Sequence, residues 1–283
     1  MSFQIPGELD HPLLQQTVAA VEAAGAELRR FFRSKNRVTA KGVANFVSEA
    51  DVAAEETLRR VLCEAEPNAR FIGEESDIAS ERAGAEPASS WIVDPLDGTT
   101  NFLHGLPHFA VSVGYRRNGR TELGIVHNPI SREWYTAVHG QGAFLGSERL
   151  RVSSVTELAS GLYCFGFFYD RDVAMATTLR CVEALMRRQV HGIRRFGAAA
   201  LDLAAIACGR FEGFFEFELQ PWDVAAGALL LEEAGGRITN CRGDELPPLA
   251  KTSALATNAA VHDELLQLVQ PFYEDGQRGG VGG

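Results

Sequence analysis

Two aspartates stand three residues apart in the segment WIVDPLDGTTNF, residues 91–102. The preceding run Trp91–Val93 is continuous, aromatic and β-branched, which predicts a short buried strand that ends at Asp94. Pro95 has a fixed φ and no donor N–H, so it favours a turn at this point. Asp97 is followed by glycine and threonine, residue types that open turns and helices. We therefore expect two carboxylates beside a helix N-terminus, an arrangement that suits a divalent cation next to a phosphate.

Two further acids are predicted at similar junctions between a strand or loop and a helix. Glu74 follows the apolar pair Phe71-Ile72, and Asp223 begins the predicted helix 222–235. Each has a structural explanation when taken alone, Glu74 as a solvated loop residue and Asp223 as an acid favoured by the helix dipole. The pair within 91–102 is different, because two acids in a constrained turn repel each other unless a cation lies between them.

Composition restricts the class of partner. The chain has 283 residues, 46% of them hydrophobic, and a net charge of −10, which argues against nonspecific nucleic-acid binding. An acidic protein that binds phosphate needs positive charge, and bound metal is a natural source. Five cysteines without a CxxC pair predict reduced thiols. Neither a secretory signal nor a long apolar run is visible, so we expect a cytoplasmic protein that does not bind membranes.

Apolar periodicity predicts the elements of the first half of the chain. Its helices are predicted at 12–32 and 50–66, and residues 76–90 form a loop. Strands are predicted within 41–48 and at 71–72, 91–93, 109–115, 122–127, 133–138, 143–145 and 149–152. Asn118-Gly119 is typical of a hairpin turn between two of these strands.

The second half alternates strands with helices. Strands are predicted at 162–167, 213–217 and 253–257, and helices at 172–190, 197–208, 222–235 and 260–272. This order predicts an α/β (α+β) fold, a layered α-β-α-β-α sandwich with a larger mixed or antiparallel sheet and a smaller second sheet. We expect one compact unit of two halves, 1–155 and 156–273, followed by a disordered, glycine-rich tail at 274–283.

Four sequence elements resemble those of the inositol monophosphatase family, the lithium-sensitive, magnesium-dependent phosphatases. Residues 91–102 match its first signature throughout, and WDVAAGALLLEEAGG at 222–236 matches its second. Gly73–Ser76 and KGVANFVSEAD at 41–51 match two further segments of the family. The four elements occur in the family's order, and the similarity covers about residues 10 to 272.

The resemblance implies a role for each matching acid. Glu74, Asp94 and the backbone carbonyl of Leu96 would hold a first Mg²⁺, and Asp94, Asp97 and Asp223 would hold a second. A third, looser ion near Glu74 occurs in parts of the family. Hard oxygen ligands of this kind are those that Mg²⁺ prefers.

The resemblance also implies how phosphate and water are held. The amides of Gly98 and Thr99 would bind the phosphate, and Glu74 together with the Thr99 hydroxyl would orient the attacking water. The implied catalytic residues are thus Glu74, Asp94 and Thr99. Phosphoryl transfer needs charge neutralisation and alignment more than covalent help, and paired metal ions supply both.

Glu216 lies seven residues before Asp223, where family members that hydrolyse inositol phosphates place a glutamate that contacts sugar hydroxyls. A buried salt bridge is the structural alternative for Glu216. The substrate contacts implied by the resemblance are Asp97, Gly98, Thr99, Gly197, Ala198, Ala199, Glu216 and Asp223. Arg194-Arg195 is open to three interpretations: a contact with substrate phosphate, a contact with a neighbouring subunit, or a solvated pair.

The expected activity is Mg²⁺-dependent hydrolysis of inositol monophosphate to myo-inositol and phosphate. The same chemistry in relatives acts on fructose 1,6-bisphosphate, histidinol phosphate, nucleoside 3′,5′-bisphosphates or NADP, so these substrates stay open. A different class of function, binding to transcription machinery, is associated with some bacterial relatives. The family also leads us to expect a homodimer, inhibition by lithium, a small phosphorylated polyol or sugar as substrate, and no direct nucleic-acid contact.

Overall fold

The computed structural model describes residues 3–34, 38–42, 45–76, 87–167 and 173–279. The α-helices in these ranges are α1 (Leu14–Phe31), α2 (Glu49–Ala65), α3 (Thr99–Leu103), α4 (Val173–Arg187), α5 (Ala199–Ala207), α6 (Pro221–Glu233) and α7 (His262–Gly279). The strands are β1 (Val38–Gly42), β2 (Asn45–Ser48), β3 (Arg70–Gly73), β4 (Ser89–Asp97), β5 (Ala110–Arg117), β6 (Arg120–Asn128), β7 (Glu133–Val138), β8 (Gly142–Leu145), β9 (Glu148–Arg149), β10 (Leu162–Phe165), β11 (Gly192–Arg194), β12 (Gly213–Leu219), β13 (Arg237–Thr239) and β14 (Thr252–Thr257).

The strands form two sheets and a separate β1-β2 hairpin. The larger sheet has seven strands in the order β3-β4-β5-β6-β7-β8-β9, with β3 parallel to β4 and each later pair antiparallel. The smaller sheet has five strands in the order β11-β10-β12-β14-β13, and it is also mixed. These two sheets confirm the predicted fold class.

The helices cover both sheets in layers. Helices α1 and α2 pack on one face of the larger sheet, where Leu28 and Leu58 join Trp91 in one buried cluster. Helices α5 and α6 lie between the two sheets, and α4 and α7 cover the outer face of the smaller sheet. The result is the predicted α-β-α-β-α arrangement, in which each sheet buries apolar surface on both faces.

The middle layer explains why α6 is apolar on nearly all sides. Ala226 and Leu230 pack with residues of the larger sheet, whereas Val224 and Leu231 pack with residues of the smaller one. A helix that contacts apolar surfaces on opposite sides requires hydrophobic residues around its whole circumference. Because α5 and α6 pack against both sheets, the positions at which these two helices begin are fixed.

Strand β4 differs from its prediction, because it passes through Pro95 and ends at Asp97 rather than at Asp94. The pairing with β5 shifts register between Asp94, opposite Ser112, and Asp97, opposite Ala110. This irregularity accommodates the missing N–H of proline without ending the strand. It also means that both aspartates belong to one strand end and not to a turn that follows it.

Other differences concern short or terminal elements. The short strands β11 and β13 were not predicted, and β9 ends at Arg149 although a strand was predicted over 149–152. Helix α7 continues to Gly279, so the prediction of a disordered tail is wrong for residues 274–279. Three residues are too few for periodicity to reveal, which explains the missed strands. The predicted loop at 77–86 and the tail at 280–283 lie outside the described residues.

Two local predictions are confirmed. Asn118 and Gly119 have φ values of 50° and 84° and connect β5 to β6, as expected of a two-residue hairpin turn. All five cysteines are free thiols, and Cys164, Cys181 and Cys241 are buried. None of the helices in the described ranges is long and apolar enough to cross a membrane.

His262 gives the fold a measurable dependence on pH. Its ring is fully buried between the hydroxyls of Thr239 and Thr257, at 3.1 and 3.0 Å. Burial lowers the pKa of His262 from 6.5 to about 4, and the nearby charge of Arg237 adds to the effect. The unfolded chain thus binds a proton between these two pH values that the folded chain does not bind, so the free energy of unfolding falls as the pH falls through this window.

We expect His262→Asn to remove this contribution. Between pH 7.5 and 4, the free energy of unfolding of the variant should fall by about 3 kcal/mol less than that of the unmodified protein. Urea unfolding at several pH values measures this difference, with His191→Asn at an exposed position as the control. Parallel pH dependences of the variant and the unmodified protein would contradict the assignment.

Candidate active site

A cavity of about 360 Å³ lies where β4 ends and where α3, α5 and α6 begin. All of the residues predicted to form the site line this cavity: Glu74, Asp94, Leu96, Asp97, Gly98, Thr99, Gly197, Ala198, Ala199, Glu216 and Asp223. The structure therefore brings together residues that are up to 149 positions apart, from Glu74 to Asp223. Its lining also includes residues that were not predicted, described below.

Four carboxylates on one side of the cavity interact electrostatically. Asp94 is 2% exposed, and its burial raises its pKa well above the ordinary value. The charges of Glu74, Asp97 and Asp223 raise the pKa of Asp94 further. For Asp97, burial raises the pKa to about 6 although backbone amides at the start of α5 oppose the effect. The pKa of Asp94 is therefore raised both by its burial and by the charges of its three acidic neighbours.

Backbone amides fix three of these carboxylates. Asp94 Oδ1 accepts a hydrogen bond from the amide of Leu96 at 2.9 Å. Asp97 accepts from the amides of Ala199 and Ala200, at 3.2 and 2.8 Å, and so joins the larger sheet to α5. Asp223 Oδ2 accepts from the amide of Gln220 at 2.6 Å, as part of the cap of α6.

These bonds qualify two sequence predictions. Asp223 does cap its helix, as the structural explanation required, and it lines the cavity as well. The resemblance assigns the backbone of residues 197–199 to substrate, and within this segment the amide of Ala199 donates to Asp97 at 3.2 Å. The Ala199 position therefore also serves to hold an acid of the cluster.

The donor set suits a hard divalent cation. Its side chains are all carboxylates, and oxygen ligands of this type bind Mg²⁺ in preference to softer metals. A cation between the acids would also remove the mutual repulsion that raises the pKa of Asp94. Among the described residues, no three His, Cys, Asp or Glu side chains already surround one point as a set of metal ligands.

Gly98 and Thr99 follow the acids at the end of β4. Gly98 has a φ of 96°, a left-handed conformation that strongly favours glycine. The Thr99 hydroxyl lies 3.1 Å from Asp51 Oδ1 and 3.2 Å from the carbonyl of Leu96, and it donates to one or the other. Asp51 is buried, and its second oxygen accepts from the amide of Ser48 at 2.9 Å.

Asp51 was not assigned to the site from the sequence. Its only local signal is the pattern of Ser48 followed three residues later by an acid, which is typical of a helix cap. The structure shows that this cap uses one oxygen of Asp51 and leaves the other for Thr99, 48 residues away. The cap of α2 and the hydroxyl of Thr99 are thus parts of one hydrogen-bonded unit.

Glu55 is a second residue that the sequence analysis missed. It is 4% exposed on α2, and its Oε2 accepts from the amide of Glu75 at 2.9 Å. A Cβ atom at Gly73 would overlap the Glu55 carboxylate, so this approach depends on glycine. Glu55 therefore fixes the backbone on both sides of Glu74.

Glu216 projects from β12 into the same cavity. Burial raises its pKa to about 8, the charge of Asp202 raises it further, and Arg195 opposes both effects. Within the described part of the chain, the Glu216 carboxylate makes no ion pair and no hydrogen bond, so the salt-bridge explanation is wrong. A methyl group at Gly166 would overlap this carboxylate, so glycine is required where β10 ends.

The chain is similar to known proteins over most of its length. The inositol monophosphatase family profile matches residues 9–272. The inositol-1-monophosphatase of Rhizobium meliloti is 43% identical over 91% of this chain and 96% of its own length. The Nus factor SuhB of Pseudomonas aeruginosa is 40% identical over 92% and 96%. The crystal structure of the extragenic suppressor protein suhB from Bartonella henselae superposes with a TM-score of 0.84, at 38% identity over 92% of this chain and 99% of that one.

A fold of two helix-covered sheets with an acidic cavity at the end of β4 defines a class of phosphomonoester hydrolases. The chain belongs to the inositol monophosphatase family, because the family profile spans nearly its whole length and relatives at about 40% identity align over most of both chains. The resemblance found in the sequence is confirmed.

Proposed function

We propose that this protein hydrolyses inositol 1-phosphate to myo-inositol and phosphate and requires Mg²⁺. The observation that carries the proposal is that Glu74, Asp94, Asp97 and Asp223 line one cavity together with Glu216. The relative of Rhizobium meliloti that carries the name of this activity supports the choice of substrate.

The acids would divide between two principal ions. Glu74, Asp94 and the carbonyl of Leu96 would hold the first, and Asp94, Asp97 and Asp223 the second, with a third ion near Glu74. Bound Mg²⁺ supplies positive charge that neutralises the phosphate and stabilises the oxygens of the displacement. Asp94 would be shared between the two ions, which agrees with its position among the charges of the other three acids.

The residues after β4 would hold the phosphate and the water. The amides of Gly98 and Thr99 would bind the phosphate oxygens. The Thr99 hydroxyl donates toward Asp51 and so has a free lone pair, with which it would accept a hydrogen bond from the attacking water. Glu74, fixed by Glu55, would orient the same water from its other side. Asp51 and Glu55 are thus positioning residues.

The alcohol part of the substrate would lie between Glu216 and the backbone of residues 197–199. Asp97 and Asp223 would contact the same part of the substrate from the metal side. Glu216 has no partner within the described residues, so its oxygens are free to accept hydrogen bonds from sugar hydroxyls.

Gly166→Ala tests the position of Glu216. The added methyl group would overlap the Glu216 carboxylate and push it out of place. We expect the KM for inositol 1-phosphate to rise about tenfold, while kcat/KM for phenyl phosphate, which has no hydroxyls to bind, stays unchanged. Gly7→Ala, where the added methyl group meets open space, is the control. Equal losses on both substrates would count against this role of Glu216.

Steady-state kinetics over a substrate panel tests the proposed substrate. The panel contains inositol 1-phosphate, fructose 1,6-bisphosphate, histidinol phosphate, adenosine 3′,5′-bisphosphate and NADP, each with Mg²⁺. We expect the highest kcat/KM for inositol 1-phosphate. A clear preference for another member would overturn the substrate while keeping the chemistry.

A second candidate function is binding to a component of the transcription machinery. It is favoured by relatives named Nus factor SuhB, which are about as similar to this chain as those named for the phosphatase. Affinity purification with tagged Asp94→Asn protein tests it, because this variant separates binding from catalysis. Specific recovery of transcription proteins would support the second function, and recovery equal to that of an untagged control would refute it.

We also propose that the chain forms a homodimer. Leu179 and Met186 are 50% and 55% exposed and lie seven residues apart on α4, so they share one helix face that an interface would bury. Sedimentation velocity at micromolar concentration tests this, with Leu179→Glu expected to shift the protein to a monomer. A monomer without any substitution would refute it.

A further inference from the structure

Among the described residues, three charged side chains that line the cavity have no hydrogen-bond or ion-pair partner for their charged groups. They are Arg195, just before α5, Asp202, in the first turn of α5, and Glu216, on β12. Within the described part of the chain, none of these charged groups makes a hydrogen bond or an ion pair. By contrast, Glu218 lines the same cavity and pairs with Lys251 at 2.7 Å. The first three groups are therefore free for a ligand.

Asp202 is the most unusual of the three. It is 2% exposed, and its Oδ1 is fully buried without a hydrogen-bond partner in the described structure. A buried polar group without a partner destabilises a folded protein, and a buried carboxylate does so strongly. An acid kept in such a position next to a cavity is expected to receive its hydrogen-bond donor from whatever fills the cavity.

Arg195 supplies the complementary group. It is the only basic side chain that lines the cavity among the described residues, and it is exposed. Its guanidinium lies over Gly197, where a Cβ atom would come within 2.5 Å of Nη1. Burial raises the pKa of both Asp202 and Glu216, and the nearby charge of Arg195 opposes the rise in each. No ion pair joins Arg195 to either carboxylate among the described residues, so its nitrogens lie more than 4.0 Å from their oxygens. A gap thus separates the guanidinium of Arg195 from the carboxylates of Asp202 and Glu216.

We propose that Asp202 is a specificity-determining residue that accepts a hydrogen bond from a hydroxyl of the substrate's alcohol, while Arg195 donates to a neighbouring hydroxyl oxygen. This proposal rests on the proposed phosphatase function and specifies the chemistry of the leaving group. Each hydroxyl of a polyol can both donate and accept, so adjacent hydroxyls match acceptors and a donor placed around one gap. The site would thereby select esters of hydroxyl-rich alcohols.

The same groups would disfavour other leaving groups. An aromatic alcohol would cover Asp202 without supplying a donor, and would leave a buried carboxylate unsatisfied. A second phosphate on the substrate would face two carboxylates, Asp202 and Glu216, with Arg195 alone in support. We therefore expect the preference for polyol monoesters to depend on Asp202 beyond what Glu216 provides.

The test compares kcat/KM for three Mg²⁺-dependent substrates: inositol 1-phosphate, glycerol 2-phosphate and phenyl phosphate. In Asp202→Leu, which is similar in size and has no acceptor, the ratio of the better polyol ester to phenyl phosphate should fall about tenfold, mainly through KM, with phenyl phosphate hydrolysis changed less than about twofold. Arg195→Met should lower the same ratio. Glu218→Gln, which alters a carboxylate that already has a partner, is the matched control and should leave the ratio unchanged.

The outcomes separate this proposal from the proposed function. Equal losses on all three substrates, or an unchanged ratio in Asp202→Leu, would overturn the role of Asp202. A wild-type protein that prefers phenyl phosphate to both polyol esters would overturn it too. Hydrolysis of glycerol 2-phosphate but not of inositol 1-phosphate would refute the proposed substrate alone, because the ratio can still be measured. Thermal unfolding of each variant identifies losses caused by misfolding.

Discussion

Asp94→Asn is expected to lower kcat for inositol 1-phosphate at least about 1000-fold while the protein stays folded. The charges of Glu74, Asp97 and Asp223 all act on Asp94, so Asp94 lies where it could serve both of the principal cations. Asparagine keeps an oxygen that accepts from the amide of Leu96 and therefore preserves the local backbone. Phosphate release under saturating Mg²⁺ measures the effect.

Asp94→Asn also distinguishes the effect of the Asp94 charge on activity from its effect on the stability of the fold. Burial and three neighbouring acids raise the pKa of Asp94, so its ionised form is disfavoured in the absence of metal. We therefore expect the free energy of unfolding of Asp94→Asn in metal-free buffer to equal or exceed that of the unmodified protein. Asp10→Asn, at an exposed position, is the control for both measurements. A variant that retains a tenth or more of the activity would contradict the shared role of Asp94.

Thr99→Ala is expected to lower kcat about 100-fold with little change in KM. Its hydroxyl is held by Asp51 at 3.1 Å beside the acids, where it can orient water but contributes little to substrate affinity. Single-turnover and steady-state kinetics with inositol 1-phosphate separate the two parameters.

Two further variants make this prediction specific. Thr99→Ser keeps the hydroxyl and should retain most of the activity. Asp51→Leu should lose activity as Thr99→Ala does, with an additional loss of stability because it removes the cap of α2. If Thr99→Ser were as inactive as Thr99→Ala, the hydroxyl would not be the group that matters.

The acidic side of the cavity was predictable because its signals are local. Asp94 and Asp97 follow an apolar run that could only be a buried strand, and Asp223 begins a helix whose apolar residues are continuous. Few acidic residues in a chain lie in a constrained segment at the end of a strand or the start of a helix. The residue types at these positions therefore indicated binding of a divalent cation. The effect of Pro95 was predicted wrongly. Pro95 does not end strand β4, because a register shift in the pairing with β5 accommodates its missing N–H.

The side of the cavity formed by Gly166, Asp202 and Glu216 was less predictable because long-range packing forms it. Gly166 and Asp202 carry no local signal: the first matters because Glu216 lies against it, and the second because α5 begins beside Asp97. The sequence pattern around Asp202 is that of an ordinary acid in the first turn of a helix. Only the arrangement of β10, β12 and α5 around one cavity shows that Asp202 Oδ1 is buried there without a partner in the described part of the chain.

The central claim is that carboxylates from β4, α6 and the loop after β3 work together through bound Mg²⁺. Phosphate release from inositol 1-phosphate, measured after dialysis against EDTA and again after addition of excess Mg²⁺, tests it most directly. We predict no release above background without the metal and full recovery on its return. Release at an undiminished rate in EDTA would contradict the claim.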